Sequence, residues 1–159
     1  MTLALGIDPG TATTGYGLVR LAQDGGLEAV AFGVILTPAH QPAQERLLML
    51  HRDLKKLIAR HHPETCAVEK LFFQRNISTA MAVGQARGVV MLSIAEAGLE
   101  VAEYTPNEVK QAVAGYGSAQ KKQVQEMVRV LLALPDIPRP DDAADALAIA
   151  ITHLHTKRY

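Results

Sequence analysis

The chain has 159 residues, 48% of them apolar and 20% charged, with 16 Lys+Arg balancing 16 Asp+Glu. That composition suits one globular domain spanning residues 1–159 with a sizeable core, and it excludes a disordered, collagenous or multi-domain chain. The zero net charge speaks against a uniformly basic nucleic-acid-binding surface, so such a function would have to rest on how the charges are distributed.

Cys66 is the single cysteine, which excludes an internal disulfide and a thiolate zinc site; within Thr65-Cys66-Ala67-Val68 it reads as a buried strand residue. No window approaches the ~20 apolar residues of a membrane helix: Glu96 cuts the run from Val89 to Leu99, and Asp145 cuts the run from Ala143 to Ile151. The start lacks a basic n-region and reaches Asp8 too soon for a signal peptide. The expectation is a reducing, cytoplasmic setting with no membrane partner.

In chain order, Leu3 to Asp8 reads as a short buried strand ending at Pro9-Gly10. Tyr16 to Leu21 is a second strand, and Asp24-Gly25-Gly26 signals a turn into a third, Glu28 to Leu36. Leu47, Leu50, Leu54, Leu57 and Ile58 then follow helical spacing, with Arg46, Arg52, Lys55, Lys56 and Arg60 on the polar side, until Pro63 stops the helix. Thr65 to Glu69 is a fourth strand. A long helix follows from Ser78 to Ala97, closed by Gly98, and Glu100 to Tyr104 is a fifth strand. Thr105-Pro106-Asn107-Glu108 is a capping box opening a short helix that breaks at Gly115-Tyr116-Gly117. Ser118 is expected to cap a helix through Leu134, and a last helix starts near Asp141. Three strands joined by short turns, followed by strands alternating with helices, predict a mixed sheet covered on both faces.

The acids fall at telling places. Asp8 and Glu69 end strands, while Asp142 and Asp145 are three apart on the last helix and share one face among alanines, leucine and isoleucines. Taken singly, Asp8 reads as a turn residue, Glu69 as solvated, and the helical pair as complements to a helix N-terminus. If all four converge, their repulsion calls for hard divalent cations with oxygen ligands, which serve in-line phosphodiester hydrolysis. The bases are also sorted. Lys70 to Ala95 contains no acid but has Lys70, Arg75 and Arg87; Val109 to Gln125 contains none but has Lys110, Lys121 and Lys122. Gln74, Asn76, Ser118 and Gln120 add hydrogen-bonding groups suited to phosphates. In Leu71-Phe72-Phe73, one phenylalanine is expected in the core and one is placed to stack on unpaired bases.

An ordered series of motifs over nearly the full length resembles the RuvC family of bacterial Holliday-junction resolvases. It comprises Gly6-Ile7-Asp8-Pro9-Gly10 with Thr14-Gly15-Tyr16-Gly17, Val68-Glu69, Phe72 to Asn76, Gly84-Gln85-Ala86-Arg87-Gly88, Val109-Lys110-Gln111, Gly117-Ser118-Ala119 with Lys121, and Asp142-Ala143-Ala144-Asp145-Ala146-Leu147-Ala148. The resemblance implies a ribonuclease-H-like α/β fold with a mixed five-stranded sheet, three strands antiparallel and then two parallel, and helices on both faces. It implies cleavage of four-way junction DNA by a homodimer using Mg²⁺, two per site, with Mn²⁺ as an alternative, and the RuvA–RuvB branch-migration complex as partner. By motif, Asp8, Glu69, Asp142 and Asp145 match the metal-binding catalytic carboxylates, Phe72 the junction-contacting aromatic, and Lys110 and Lys121 the DNA-contacting lysines; Arg75, Asn76 and Lys122 join them as expected DNA contacts. Lys70 and Phe73 depart from the family pattern and are assigned no role. Asp141 also lies within a helical turn of Asp145, although the motif spacing favours Asp142. The Gly84-to-Gly88 segment suits close helix approach, either between protomers or inside one.

Three other readings compete. The Gly6-to-Thr11 segment with Thr14-Gly15 also resembles the phosphate loop of actin-like ATPases and sugar kinases, which need a second domain that 159 residues do not supply. The others are a related nuclease acting on RNA and a binding protein without catalysis.

Overall fold

Aliphatic runs with short turns pair where the spacing predicts. In the computed structural model, which describes residues 2–10, 12–70 and 77–157, β1 (Thr2–Asp8), β2 (Thr13–Leu21) and β3 (Leu27–Leu36) form an antiparallel meander. At the β2–β3 turn, the backbone N–H of Gly26 donates to Asp24 Oδ1 at 2.8 Å. β2 begins earlier than the expected Tyr16, because Thr13 and Thr14 pair with Leu36 and Ile35 and prolong the ladder. β4 (Thr65–Glu69) then pairs parallel to β1, and β5 (Val101–Tyr104) parallel to β4, giving the order β3-β2-β1-β4-β5.

Helices α1 (Ala43–His61) and α2 (Ile77–Glu96) cover one face of the sheet. Leu50, Leu54 and Ile58 of α1 are buried against Leu5, Ile7, Cys66 and Val68, each contributing roughly 1.5–3 kcal/mol. Burial pushes the Cys66 thiol up, so it is a core residue and not a nucleophile. The other face carries α3 (Pro106–Ala114), α4 (Lys121–Leu131) and α5 (Asp141–Thr156). The capping box at α3 is present, with Glu108 N–H donating to Thr105 Oγ1 at 3.1 Å. Ser118, however, does not cap α4. That helix starts at Lys121, where the Gln120 N–H donates to Gln123 Oε1 at 2.8 Å, and it stops at Leu131, just before Ala133 takes φ 51°.

Helix α5 lies between the sheet and α3–α4, so it is apolar on nearly every side. From Ala143 to Leu154 every residue but Asp145 is buried. Among them, His153 joins its Nε2 to Thr65 Oγ1 at 2.6 Å and its Nδ1 to Tyr104 OH at 2.8 Å, tying α5 to β4 and β5. Burial, aided by Lys157, lowers its pKa to about 4, so the ring is neutral at pH 7 and both hydroxyls find a ring nitrogen.

Candidate active site

Strand alternation sends Leu5 and Ile7 of β1, and Cys66 and Val68 of β4, into the α1–α2 core. Ala4 and Ala67 belong to the α5 core, so Asp8 and Glu69, in phase with them, point to the α5 side. The parallel register sets Ile7 against Val68, which leaves Asp8 and Glu69 as neighbours at the carboxyl ends of adjacent strands.

Close approach of α5 supplies the remaining carboxylates. Asp8 pairs with Gly15 on β2, and a Cβ at Gly15 would collide with the backbone carbonyl of Asp142. One at Gly6 would collide with the Ala146 carbonyl and lie 2.7 Å from Ala150 N. Gly6 facing Ala146 and Ala150, and Gly15 facing Asp142, therefore let the helix backbone rest on the sheet, and its first turns reach Asp8. One carboxylate oxygen from each of Asp8, Asp142 and Asp145 lies within 4.8 Å of the others, and all three residues are half-buried. Glu69 stands outside that set of three but hydrogen-bonds to Asp8.

The electrostatics follow. Burial first, then Glu69, Asp145 and Asp142, raise the Asp8 pKa from its ordinary 3.8 to about 8. Burial also raises that of Asp145, against the opposing pull of Lys121. A group of oxygen-only ligands that cannot all ionise unaided suits a hard divalent cation.

Lys121 sits beside this group, with Nζ 3.2 Å from Asp141 and 4.0 Å from Asp145. Burial opposes its charge, yet Asp145 and then Asp141 hold the ammonium above its ordinary value. Asp141 lies outside that set of three, accepting from Lys121 and from Gln125 Nε2 at 3.1 Å; the set contains Asp142, as the spacing favours. Lys122 is exposed at the start of α4, and Lys110 is half-buried on α3. Arg87, counted among the bases of the first acid-free stretch, is ion-paired with Glu103 instead. Phe72, Arg75 and Asn76 lie outside the described residues. The roles of Gly6 and Gly15 in seating α5 have a faint sequence signal: Gly6 on β1, alternate glycines 15 and 17 on β2, and alanines at 143, 146 and 150 on the last helix; those of Tyr104 and His153 have none.

The profile of crossover junction endodeoxyribonuclease RuvC matches residues 4–153, a span that contains all four carboxylates. The chain belongs to the RuvC family. A crossover junction endodeoxyribonuclease RuvC from Chloroflexus aggregans is 60% identical over 154 residues, covering 96% of this chain and 93% of that one. Among solved structures, Thermus thermophilus RuvC in complex with a Holliday junction substrate superposes with a TM-score of 0.89 at 38% identity, covering 97% and 94% of the two chains. The yeast mitochondrial resolvase Ydc2, at 13% identity and a TM-score of 0.73, shares the fold with this RuvC-family chain.

Proposed function

We propose that the protein is a structure-selective endonuclease that resolves four-way DNA junctions in recombination and repair, cutting by paired symmetric nicks that leave 5′-phosphate and 3′-hydroxyl ends. The observation that carries this reading is the convergence of Asp8, Asp142 and Asp145 at a sheet end, with Glu69 bonded to Asp8, in a chain of the RuvC family. These four carboxylates hold Mg²⁺, two ions per site, with Mn²⁺ as an alternative. Such ions, when bound, activate water and offset charge on the scissile phosphate. Asp8 is the central ligand, because neighbouring strand β4 brings Glu69 to it and α5 brings Asp142 and Asp145. Lys121 is near enough to meet a strand phosphate beside the centre, and Lys110 and Lys122 extend the basic face. Phe72, Arg75 and Asn76 complete the junction contacts in this reading.

Paired cuts require two sites related by a two-fold axis. The surface best suited to a second copy is on α2, where Met81, Gly84, Gly88 and Leu92 share one side; Met81 is 64% and Leu92 56% exposed. A Cβ at Gly84 or Gly88 would meet no atom within 4 Å. Their small size therefore serves nothing inside the described protomer, which favours the between-protomer use of this segment. A cytoplasmic location and delivery of the junction by a RuvA–RuvB branch-migration complex belong to the same reading; among the described residues, no helix is long and apolar enough to cross a membrane.

Cleavage of a synthetic four-way junction, compared with linear duplex and RNA–DNA hybrid, tests the proposal. The wild type should cut the junction only with Mg²⁺ or Mn²⁺. Asp8→Asn should lose at least about 100-fold in rate, about 2.7 kcal/mol in barrier, while still binding the junction. Equal cutting by the mutant would remove Asp8 from its assigned role.

A further inference from the structure

Between the end of α3, the first turns of α4 and the chain leading into α5 lies an open cleft of about 530 Å³ that the carboxylate centre does not use. Its apolar walls are Ala114, Tyr116, Met127 and Ile137, and its polar lining is Lys122, Gln123 and Glu126. The size falls within the ~300–1,000 Å³ of small-molecule sites. Apolar walls receive the flat face of a base better than they receive a phosphate. Glu126 is ion-paired with Arg129 at 2.5 Å, so the charge that the lining presents to a ligand is that of Lys122.

Tyr116 is set to offer its ring. It follows Gly115, which takes φ 93° and closes α3, and its carbonyl accepts from the Ala119 N–H at 3.3 Å, which fixes the turn. The residue lines the cleft and is nevertheless 44% exposed. An aromatic ring beside a cation is the arrangement that holds unpaired bases, the ring stacking on the base and the cation meeting the backbone. Cations flank the cleft on both helices: Lys122 on α4, and Lys110 one turn before Ala114 on the same side of α3. Lys121, adjacent to Lys122, brings its Nζ to 4.0 Å from Asp145. A strand laid across the carboxylate centre therefore passes the cleft within a few nucleotides, at ~3.4 Å of rise each.

We propose that this cleft is a base-binding subsite, in which Tyr116 stacks on an unpaired base of the strand presented to Asp8 while Lys122 meets a phosphate beside that base. The inference rests on the nuclease reading above and adds to it a contact with a base, where the lysines contact only the backbone. A four-way crossover suits such a site, because a base whose pairing is already weakened costs least to extrude. Stacking engages a face that every base possesses, so the subsite adds affinity without reading sequence.

The test is metal-free junction binding, measured by fluorescence anisotropy across a KCl series, for wild type, Tyr116→Ala and Tyr116→Phe. The probes are an intact synthetic four-way junction and a set with one abasic nucleotide at each successive position through the crossover. Tyr116→Ala should bind the intact junction about tenfold more weakly, with an unchanged log–log salt slope because no phosphate contact is lost. Tyr116→Phe keeps the ring and should keep the affinity. For the wild type, one abasic position should cost about the same tenfold, and Tyr116→Ala should be indifferent to that position. Full affinity in Tyr116→Ala would overturn the subsite. So would a weaker Tyr116→Ala with a flattened salt slope, since the ring would then serve only to place the lysines. A wild type indifferent to every abasic position would overturn it too, and that arm needs no variant to fold. Failure of the wild type to bind any junction would bring down the nuclease reading, and this proposal with it.

Discussion

Asp8 is the residue on which the chemistry converges, and its raised pKa makes it visible in stability as well as in cleavage. With a folded value of about 8 against an ordinary 3.8, the folded protein keeps a proton that the unfolded chain releases. Metal-free stability therefore falls as pH rises through that window; Asp145, raised as well, adds to the trend. His153 has the opposite sense: at about 4 against 6.5, its contribution is lost as pH falls below 6.5. Between pH 6.5 and 8, below the ordinary values of the raised Cys66 thiol and Lys121 ammonium, the acidic trend dominates. Urea unfolding in EDTA should show the wild type less stable at pH 8 than at pH 6.5, with a much smaller difference for Asp8→Asn. An equal pH difference in the two proteins would contradict this account. Mg²⁺ should raise the wild-type Tm at pH 8 by ligand linkage and leave that of Asp8→Asn nearly unchanged.

At the scale of elements, α5 is the part that decides whether a site exists. Its approach to the sheet depends on the absence of a Cβ at Gly15, against the Asp142 carbonyl. Gly15→Ala should cost about 1–3 kcal/mol through overpacking. It should also displace Asp142 and Asp145 from Asp8, and misplacement by about 1 Å can lower rate by ~100-fold. A folded Gly15→Ala protein that cleaves junctions at the wild-type rate would show that close approach at this residue is dispensable. Helix α2 makes a separate prediction. Leu92→Glu puts a charge into the face carrying Met81, Gly84 and Gly88, so sedimentation should show a monomer, and paired cleavage should give way to single nicks. A stable Leu92→Glu dimer would place the two-fold contact elsewhere.

Over the whole molecule, the zero net charge conceals one local concentration of acids. Four acids gather at one end of the sheet, with Lys121 beside them, and Lys122 is exposed next to it at the start of α4. Junction binding should consequently weaken steeply with salt. Alanine at Lys110, Lys121 or Lys122 should each reduce the salt slope by about 0.9, with similar losses on any junction sequence because phosphates carry no base identity. A slope unaffected by all three would place the DNA on another surface. Lys121 should differ from the other two, since it also opposes the charge of Asp145; its removal should change the Mg²⁺ dependence of cleavage, whereas Lys122→Ala should not.

Much of this protein was legible in its sequence, because local signals and the final structure agree. Alternating and helical periodicities marked the five strands and five helices among the described residues, the Thr105–Glu108 box placed the start of α3, and the Asp142–Asp145 spacing put two acids on one helix face. Local signals failed where competing local bonds were equally available, as at Ser118, which yielded the start of α4 to the Gln120–Gln123 pair. What the tertiary structure alone decided concerns distances between residues far apart in the chain. Convergence of Asp8 with Asp142 and Asp145, the pairing of Asp141 with Lys121 and of Arg87 with Glu103, and the seating of His153 between Thr65 and Tyr104 all depend on sheet register and on how closely α5 can approach. Periodicity records which face a residue occupies, but only packing brings two faces together.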